Sequence, residues 1–343
     1  MQQVLFRVDA GPGVGLGHLQ RCLALAEALG GLGVACVFLT HVVPDVEARV
    51  AAAGWPIAPL RLSDPTDQAA DADRVIEIAG GYDAGTVVVD SYSATAAYLG
   101  ALRTAGIRVV FIDDLAREAW PAHVVINGGA HAASLPYRSS TGDTLFLLGP
   151  TYALLGSGYQ TISPRRLTPE VEQVLVTVGG DDPHAVLPAI VEAVDRAPGR
   201  FRLCVIAGPF GRSATLASPV ARRGSRDISI VHAPSSLRDL MLAADVAVSA
   251  GGQTLYELAA TGTPTIACEL ADNQSGQLTA FAEAGAVVQA GRPGTAGFGA
   301  RLTPLVGALV SGFAQRMKLS QAGQRMVDGF GAGRAARAVL GSA

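Results

Sequence analysis

Short apolar runs rich in β-branched residues alternate along almost the whole chain with stretches of helical periodicity. That alternation narrows the available folds more than any other feature. Val4–Val8, Ala35–Leu39, Ile57–Leu60, Thr86–Val89 and Arg108–Ile112 read as strands, with Val124–Ile126 and Leu145–Leu148 after them. Leu19–Leu29, Asp45–Ala53, Thr66–Ala79 and Ala94–Ala105 read as the helices between them. Strands that are apolar on both faces belong to a parallel sheet covered by crossover helices. A second series starts at Gln173–Val178 and runs through Arg202–Ala207, Ile228–Val231, Asp245–Val248 and Thr265–Cys268. The stretch 156–168 between the two series lacks periodicity and reads as a linker. A chain of 343 residues has room for two such domains. The expected division is residues 1–157, residues 158–315, and C-terminal helices over 316–343 that pack back towards the first domain.

In each half, strands run straight into glycines and then into a helix. After Val8 come Asp9 and four glycines in seven residues (Gly11, Gly13, Gly15, Gly17), then His18 at the mouth of a helix. In the second half, Val178 leads into Gly179-Gly180-Asp181-Asp182-Pro183, and Val248 into Ser249-Ala250-Gly251-Gly252-Gln253-Thr254. Glycine lets a ligand lie close to the backbone, and the first N–H groups of a helix attract an anion. The Gly251–Thr254 turn is therefore a candidate anion site, and Glu257 a carboxylate placed to accept hydrogen bonds from ribose hydroxyls. A tight turn whose acid merely favours the helix start is the competing reading. His18 has two readings as well: a cap that closes the turn, or a general base that the helix dipole helps to keep neutral. Ligands of parallel sheets gather beyond the carboxyl ends of the strands, which adds Asp9, Asp90, Tyr92, Asp113 and Asp114 as lining candidates. An aspartate that ends a strand can equally cap the next helix.

Composition excludes several classes. A net charge of −3 argues against nucleic acid or an anionic membrane as the main partner. With 49% hydrophobic and 16% charged residues, the chain is too apolar to be disordered. No stretch reaches the roughly 18–20 apolar residues of a membrane span, and Arg7 and Asp9 interrupt the first apolar run. Cys22, Cys36, Cys204 and Cys268 form no metal or redox motif and read as core residues of a reduced, cytoplasmic protein. No metal and no cofactor is expected. The Gly11–Gly17 spacing is wrong for a dinucleotide fingerprint, and no Gly-Lys-Ser/Thr loop occurs. Two glycine-rich entries from two α/β halves point instead to paired Rossmann-like domains facing across a cleft, the B-type glycosyltransferase architecture.

The motifs resemble a known family. Asp9-Ala10, Gly15-x-Gly17-His18-x-x-Arg21-Cys22, Asp90-x-Tyr92, Ile112-Asp113-Asp114 and Leu148-Gly149-Pro150-x-Tyr152-Ala153-Leu154 look like the UDP-sugar hydrolase of pseudaminic acid biosynthesis. Gly179-Gly180-x-Asp182-Pro183, Gly251-Gly252-x-Thr254-Leu255-Tyr256-Glu257 and Asp272-Asn273-Gln274 continue the match. Spore-coat polysaccharide proteins belong to the same group, and its fold is similar to that of the murein N-acetylglucosaminyl transferase. The resemblance implies a hydrolase that cleaves the anomeric C–O bond of a UDP-linked acetamido-deoxy sugar by water attack with inversion. Transfer of the sugar to a soluble acceptor is the alternative. On this resemblance His18 is the base, and Tyr92 and Asn273 line the sugar. Gly180, Gly251, Gly252, Gln253, Thr254 and Glu257 hold the nucleotide, and Asp9, Gly15, Gly17, Arg21 and Gln274 complete the lining. The chain departs from the family at Gln253 and Ser91, where Ser and His are usual, and at Gln20, where an apolar residue is common. The expected partner is a small nucleotide sugar.

Overall fold

In a computed structural model, which describes residues 2–64, 66–182, 184–210 and 225–341, the chain forms two compact units. Pro183 of the first glycine motif in the second half lies outside the described residues. Unit 1 comprises Met1–Ser157 with Gly329–Ala343, and unit 2 comprises Gly158–Asp328.

Unit 1 runs β1 (Gln3–Val8), α1 (Gly17–Gly30), β2 (Ala35–Thr40), α2 (Pro44–Ala52), β3 (Ile57–Pro59), α3 (Gln68–Gly81), β4 (Thr86–Asp90), α4 (Ala96–Thr104) and β5 (Arg108–Ile112). Then come β6 (Ala119–Trp120), β7 (Val124–Asn127), β8 (Arg138–Ser139) and β9 (Leu145–Leu148). Seven strands make one sheet in the order β3-β2-β1-β4-β5-β7-β9, and β6 pairs with β8 apart from it. Every pairing in the main sheet is parallel. Val87, Val89, Leu99, Leu102, Val109 and Trp120 pack in one of its cores. α3 begins where Asp67 accepts hydrogen bonds from the Ala69 and Ala70 amides, both at 3.0 Å. Asp71, in the acidic start of that helix, faces inward instead of towards water. Arg7 grips it through Nε and Nη2, and the Tyr98 hydroxyl donates to it at 3.0 Å.

Unit 2 contains β10 (Gln173–Thr177), α5 (Leu187–Asp195), β11 (Arg202–Ala207), β12 (Ile228–His232), α6 (Arg238–Ala243) and β13 (Val246–Ala250). α7 (Thr254–Ala260), β14 (Thr265–Cys268), α8 (Ser275–Glu283), β15 (Val287–Gly291), α9 (Phe298–Ser311) and α10 (Phe313–Met326) come next. Its sheet has the order β12-β11-β10-β13-β14-β15, again all parallel. In both sheets the strand order reverses beside the unit's first strand, between β1 and β4 and between β10 and β13. This is the doubly wound topology, and its crevice lies beyond the strand ends at that reversal. The glycine entries sit there.

The segment expected to pack as one piece, 316–343, is divided. α10 packs on α7 and stays with unit 2, whereas α11 (Gly331–Val339) packs on α1 in unit 1. Gly331 shows how closely α11 approaches its neighbours, since a Cβ there would lie 2.2 Å from the Ala153 carbonyl oxygen. α10 is anchored by the buried Arg316, whose guanidinium donates to the carbonyls of Leu309, Val310, Thr168 and Pro169.

Candidate functional site

β1 and β4 are neighbours, and the Asp9 amide donates to the Asp90 carbonyl at 3.1 Å, so both strand ends open on one place. From Gly11 the chain doubles back. The Gly15 amide donates to the Gly11 carbonyl at 2.7 Å, and Gly11 (φ +136°) and Gly15 (φ +84°) take backbone conformations that side chains resist. Gly17 then starts α1, which carries His18 and Arg21 towards the end of β4.

His18 is buried, and its Nδ1 lies 2.5 Å from Oδ1 of Asp90, a fully buried carboxylate. Arg21 reaches the same carboxylate with Nε and Nη2, both at 2.6 Å, and holds Asp114 through Nη1 at 2.8 and 2.9 Å. The Cys22 thiol donates to Asp90 Oδ2 at 3.4 Å. Burial alone would push the Asp90 carboxyl up. Arg21 and His18 outweigh that and hold it well below the usual carboxylate range. Tyr92 stands edge-on to the His18 ring, with centroids 4.5 Å apart and an interplanar angle of 80°, and its hydroxyl donates to Asp114 at 2.9 Å. The residue remains 41% exposed.

The other two aspartates have different tasks. Asp9 accepts from Arg7 at 2.6 Å and from the Ser91 hydroxyl at 2.5 Å, so Ser91 braces the strand end. Asp113 accepts the Leu115 and Ala116 amides and the Trp120 indole N–H. It closes the loop after β5, while its neighbour Asp114 joins the histidine cluster. Asp90 and Asp114 thus have specific partners that strand-end reasoning alone could not supply.

In unit 2, Gly251 is packed tightly: its amide donates to the Cys268 carbonyl at 3.0 Å, and an added Cβ would meet Leu278 at 2.8 Å. This corrects the expectation that its N–H serves a phosphate, because the sheet already uses it. At Gly252 an added Cβ would find no atom closer than Gln274 Nε2, at 3.9 Å. Gln253 precedes the seven-residue helix that Thr254 begins, and its side chain makes no cap hydrogen bond. Gln274 accepts the Leu270 amide at 2.9 Å, and Asn273 beside it is exposed. Gly180 accepts the Phe210 amide at 3.3 Å. Asp182 caps α5 by accepting the Val186 and Leu187 amides.

Glu257 lies in the first turn of α7, and burial pushes its carboxyl up to about 7, against a hydrogen bond from the Tyr159 hydroxyl that lowers it. Tyr159 is itself buried, in a segment that reads as linker, and no periodicity signals it. Among the described residues, no group of three or more His, Cys, Asp or Glu is placed to hold a metal ion, and no helix is long and apolar enough to cross a membrane.

No family model matches the chain. It is similar to the spore coat polysaccharide biosynthesis protein SpsG of Bacillus subtilis, at 25% identity over 330 residues that cover 94% of this chain and 93% of that protein. The pseudaminic acid cytidylyltransferase and UDP-2,4-diacetamido-2,4,6-trideoxy-beta-L-altropyranose hydrolase of Helicobacter pylori is 24% identical over 273 residues. That match covers 79% of this chain but 45% of the larger protein, so the chain spans less than half of it. Among solved structures, Acinetobacter baumannii MurG superposes with a TM-score of 0.70 over 99% of this chain and all of its own, at 15% identity. The two parallel-sheet units are those of the B-type glycosyltransferase fold.

Proposed function

We propose that the chain is a nucleotide-sugar hydrolase that cleaves the anomeric C–O bond of a UDP-linked acetamido-deoxy sugar, with inversion. The observation that carries this reading is the His18 imidazole, held against a buried carboxylate beside the exposed Tyr92 at the end of β4. A hydrolase is part of the Helicobacter pylori relative's name, and its UDP-sugar suits the second unit's glycine turn and acid.

The steps balance without a cofactor. His18 takes a proton from water as the water oxygen bonds to the anomeric carbon. The bond from that carbon to the diphosphate oxygen breaks, and UDP leaves with the bonding electron pair. The imidazolium then returns its proton to solvent. A diphosphate is already a good leaving group, so donors at Gly252 and Thr254 need only stabilise the charge that develops on it. Glu257 accepts the ribose hydroxyls, and Tyr92, beside His18, contacts the sugar. The reading requires no metal. Four buried, unpaired cysteines suit a reducing cytoplasm.

Transfer to a soluble acceptor differs only in what approaches His18, and the fold shared with MurG favours keeping it as the second reading. The test is incubation with UDP-sugars in oxygen-18 water without an acceptor. Label in the anomeric hydroxyl of an inverted sugar supports hydrolysis. Label in the phosphate, or release only after an alcohol is added, rejects it.

A further inference from the structure

We infer that Asp90 is a positioning residue for His18: its carboxylate fixes the imidazole as the Nδ1–H tautomer and leaves Nε2 as the basic atom. The inference rests on the reading of His18 as the base, and it comes from where the hydrogens must lie. Oδ1 of Asp90 is 2.5 Å from His18 Nδ1 and 2.6 Å from Arg21 Nη2. Oδ2 receives Arg21 Nε at 2.6 Å and the Cys22 thiol at 3.4 Å. An ionised carboxylate only accepts, so a proton must sit on Nδ1; otherwise two lone pairs would face each other at 2.5 Å. Arg21 Nη2 also lies 3.1 Å from Nδ1, but one of its two hydrogens goes to the shorter, charged acceptor Oδ1, and the 2.5 Å approach of Oδ1 to Nδ1 still requires a proton between them. That contact results from two donors meeting at one oxygen.

The charges around the ring point the same way. Asp90 from β4 and Asp114 after β5 carry two negative charges, and Arg21 from α1 carries one positive charge. Tyr92 and Cys22 serve as neutral donors to these carboxylates, and Asp113 and His131 lie near Asp114 as well. The Asp90 carboxylate thus stands against the ring when the base takes its proton. Arg21 has a further part in it. Its fork holds both carboxylate oxygens, so Asp90 cannot rotate away from the ring when the proton arrives.

The decisive experiment reads the tautomer directly. Long-range nitrogen–proton NMR on protein labelled with 15N-histidine reports both ring nitrogens, and loss of a signal set in His18→Gln assigns His18. In the neutral form of the wild type, Nδ1 is expected to be protonated and Nε2 bare. Asp90→Asn, whose amide can donate to Nδ1, should move His18 to the Nε2–H form. It should lower kcat by about two to four orders of magnitude, leave KM nearly unchanged and shift the acidic limb of the pH profile, where the base is lost to protonation. A bare Nδ1 in the wild type, or an imidazolium that persists into alkaline pH, overturns the inference. The wild-type spectrum decides even if Asp90→Asn does not fold. It also decides if no UDP-sugar is turned over, because the tautomer is read without substrate.

Discussion

The hydroxyl of Tyr159 donates a hydrogen bond to the carboxyl of Glu257, and both residues belong to the second unit. Burial pushes that carboxyl up to about 7 in spite of the bond. An acid whose folded pKa lies above its unfolded value binds its proton more tightly in the folded state. Stability therefore falls as pH rises from the usual carboxylate range to about 7, and it levels off above that. Glu257→Gln keeps the shape and removes the titration. Urea denaturation across this range should show the variant gaining on the wild type as pH rises, with no further gain beyond the window. Parallel curves for the two proteins would mean that Glu257 is not protonated in the fold.

Nucleotide binding should depend on the same pair. Hydrogen bonds from ribose to a charged carboxylate place the loss in Glu257→Ala at about 1.5–3 kcal/mol of UDP affinity, measured by calorimetry. Tyr159→Phe removes a contact that favours the ionised form, so it should weaken UDP binding near neutral pH and regain wild-type affinity in alkali. A loss that stays constant with pH would show Tyr159 acting on the nucleotide or the fold in some other way.

Both sheets were legible in the sequence because a strand buried on two faces needs an unbroken apolar run, and such runs survive as short blocks. His18 and Glu257 were legible because glycine entries mark where a strand turns into a helix. The partnerships were not. His18 and Asp90 are 72 residues apart, and Arg21 and Asp114 are 93 apart. Only the order β1-β4-β5 brings them together. Asp113 and Asp114 are chemically identical neighbours, separated only by which side of the strand end each faces. Tyr159 sits where periodicity is absent, and register with β14 decides that the Gly251 amide is already used. The sequence marks C-terminal helices, but it cannot say that one covers α7 and the other α1.

Arg21 is expected to dominate the stability of the first unit's cluster. Arg21→Met would leave Asp90 and Asp114 facing each other without their shared cation, and breaking a buried pair from one side costs about 3–5 kcal/mol. The sign with pH is set by Asp90, whose carboxyl lies well below the usual range. Its stabilising contribution is complete above the unfolded carboxylate pKa of about 4 and is lost as pH falls below it. The gap between wild type and Arg21→Met should therefore be largest near neutrality and shrink in acid, where protonation relieves the variant. A gap independent of pH would point to lost packing instead of unpaired charge.

Two glycines separate a structural demand from a ligand's demand. A Cβ on Gly208 would lie 2.4 Å from the Gly180 carbonyl oxygen, and backbone cannot yield as a side chain does. Gly208→Ala should lose roughly 1–3 kcal/mol, the usual cost of overpacking, as read from denaturation midpoints. Gly252→Ala has room, since its nearest neighbour is Gln274 Nε2 at 3.9 Å, and its stability should stay within about 0.5 kcal/mol of wild type. If the diphosphate lies against the backbone there, the added methyl occupies the phosphate's place, and UDP affinity should fall while the melting temperature holds. Wild-type affinity in a stable Gly252→Ala protein would place the diphosphate elsewhere. A loss of affinity that tracks a loss of stability would show the glycine serving the fold, as Gly208 does.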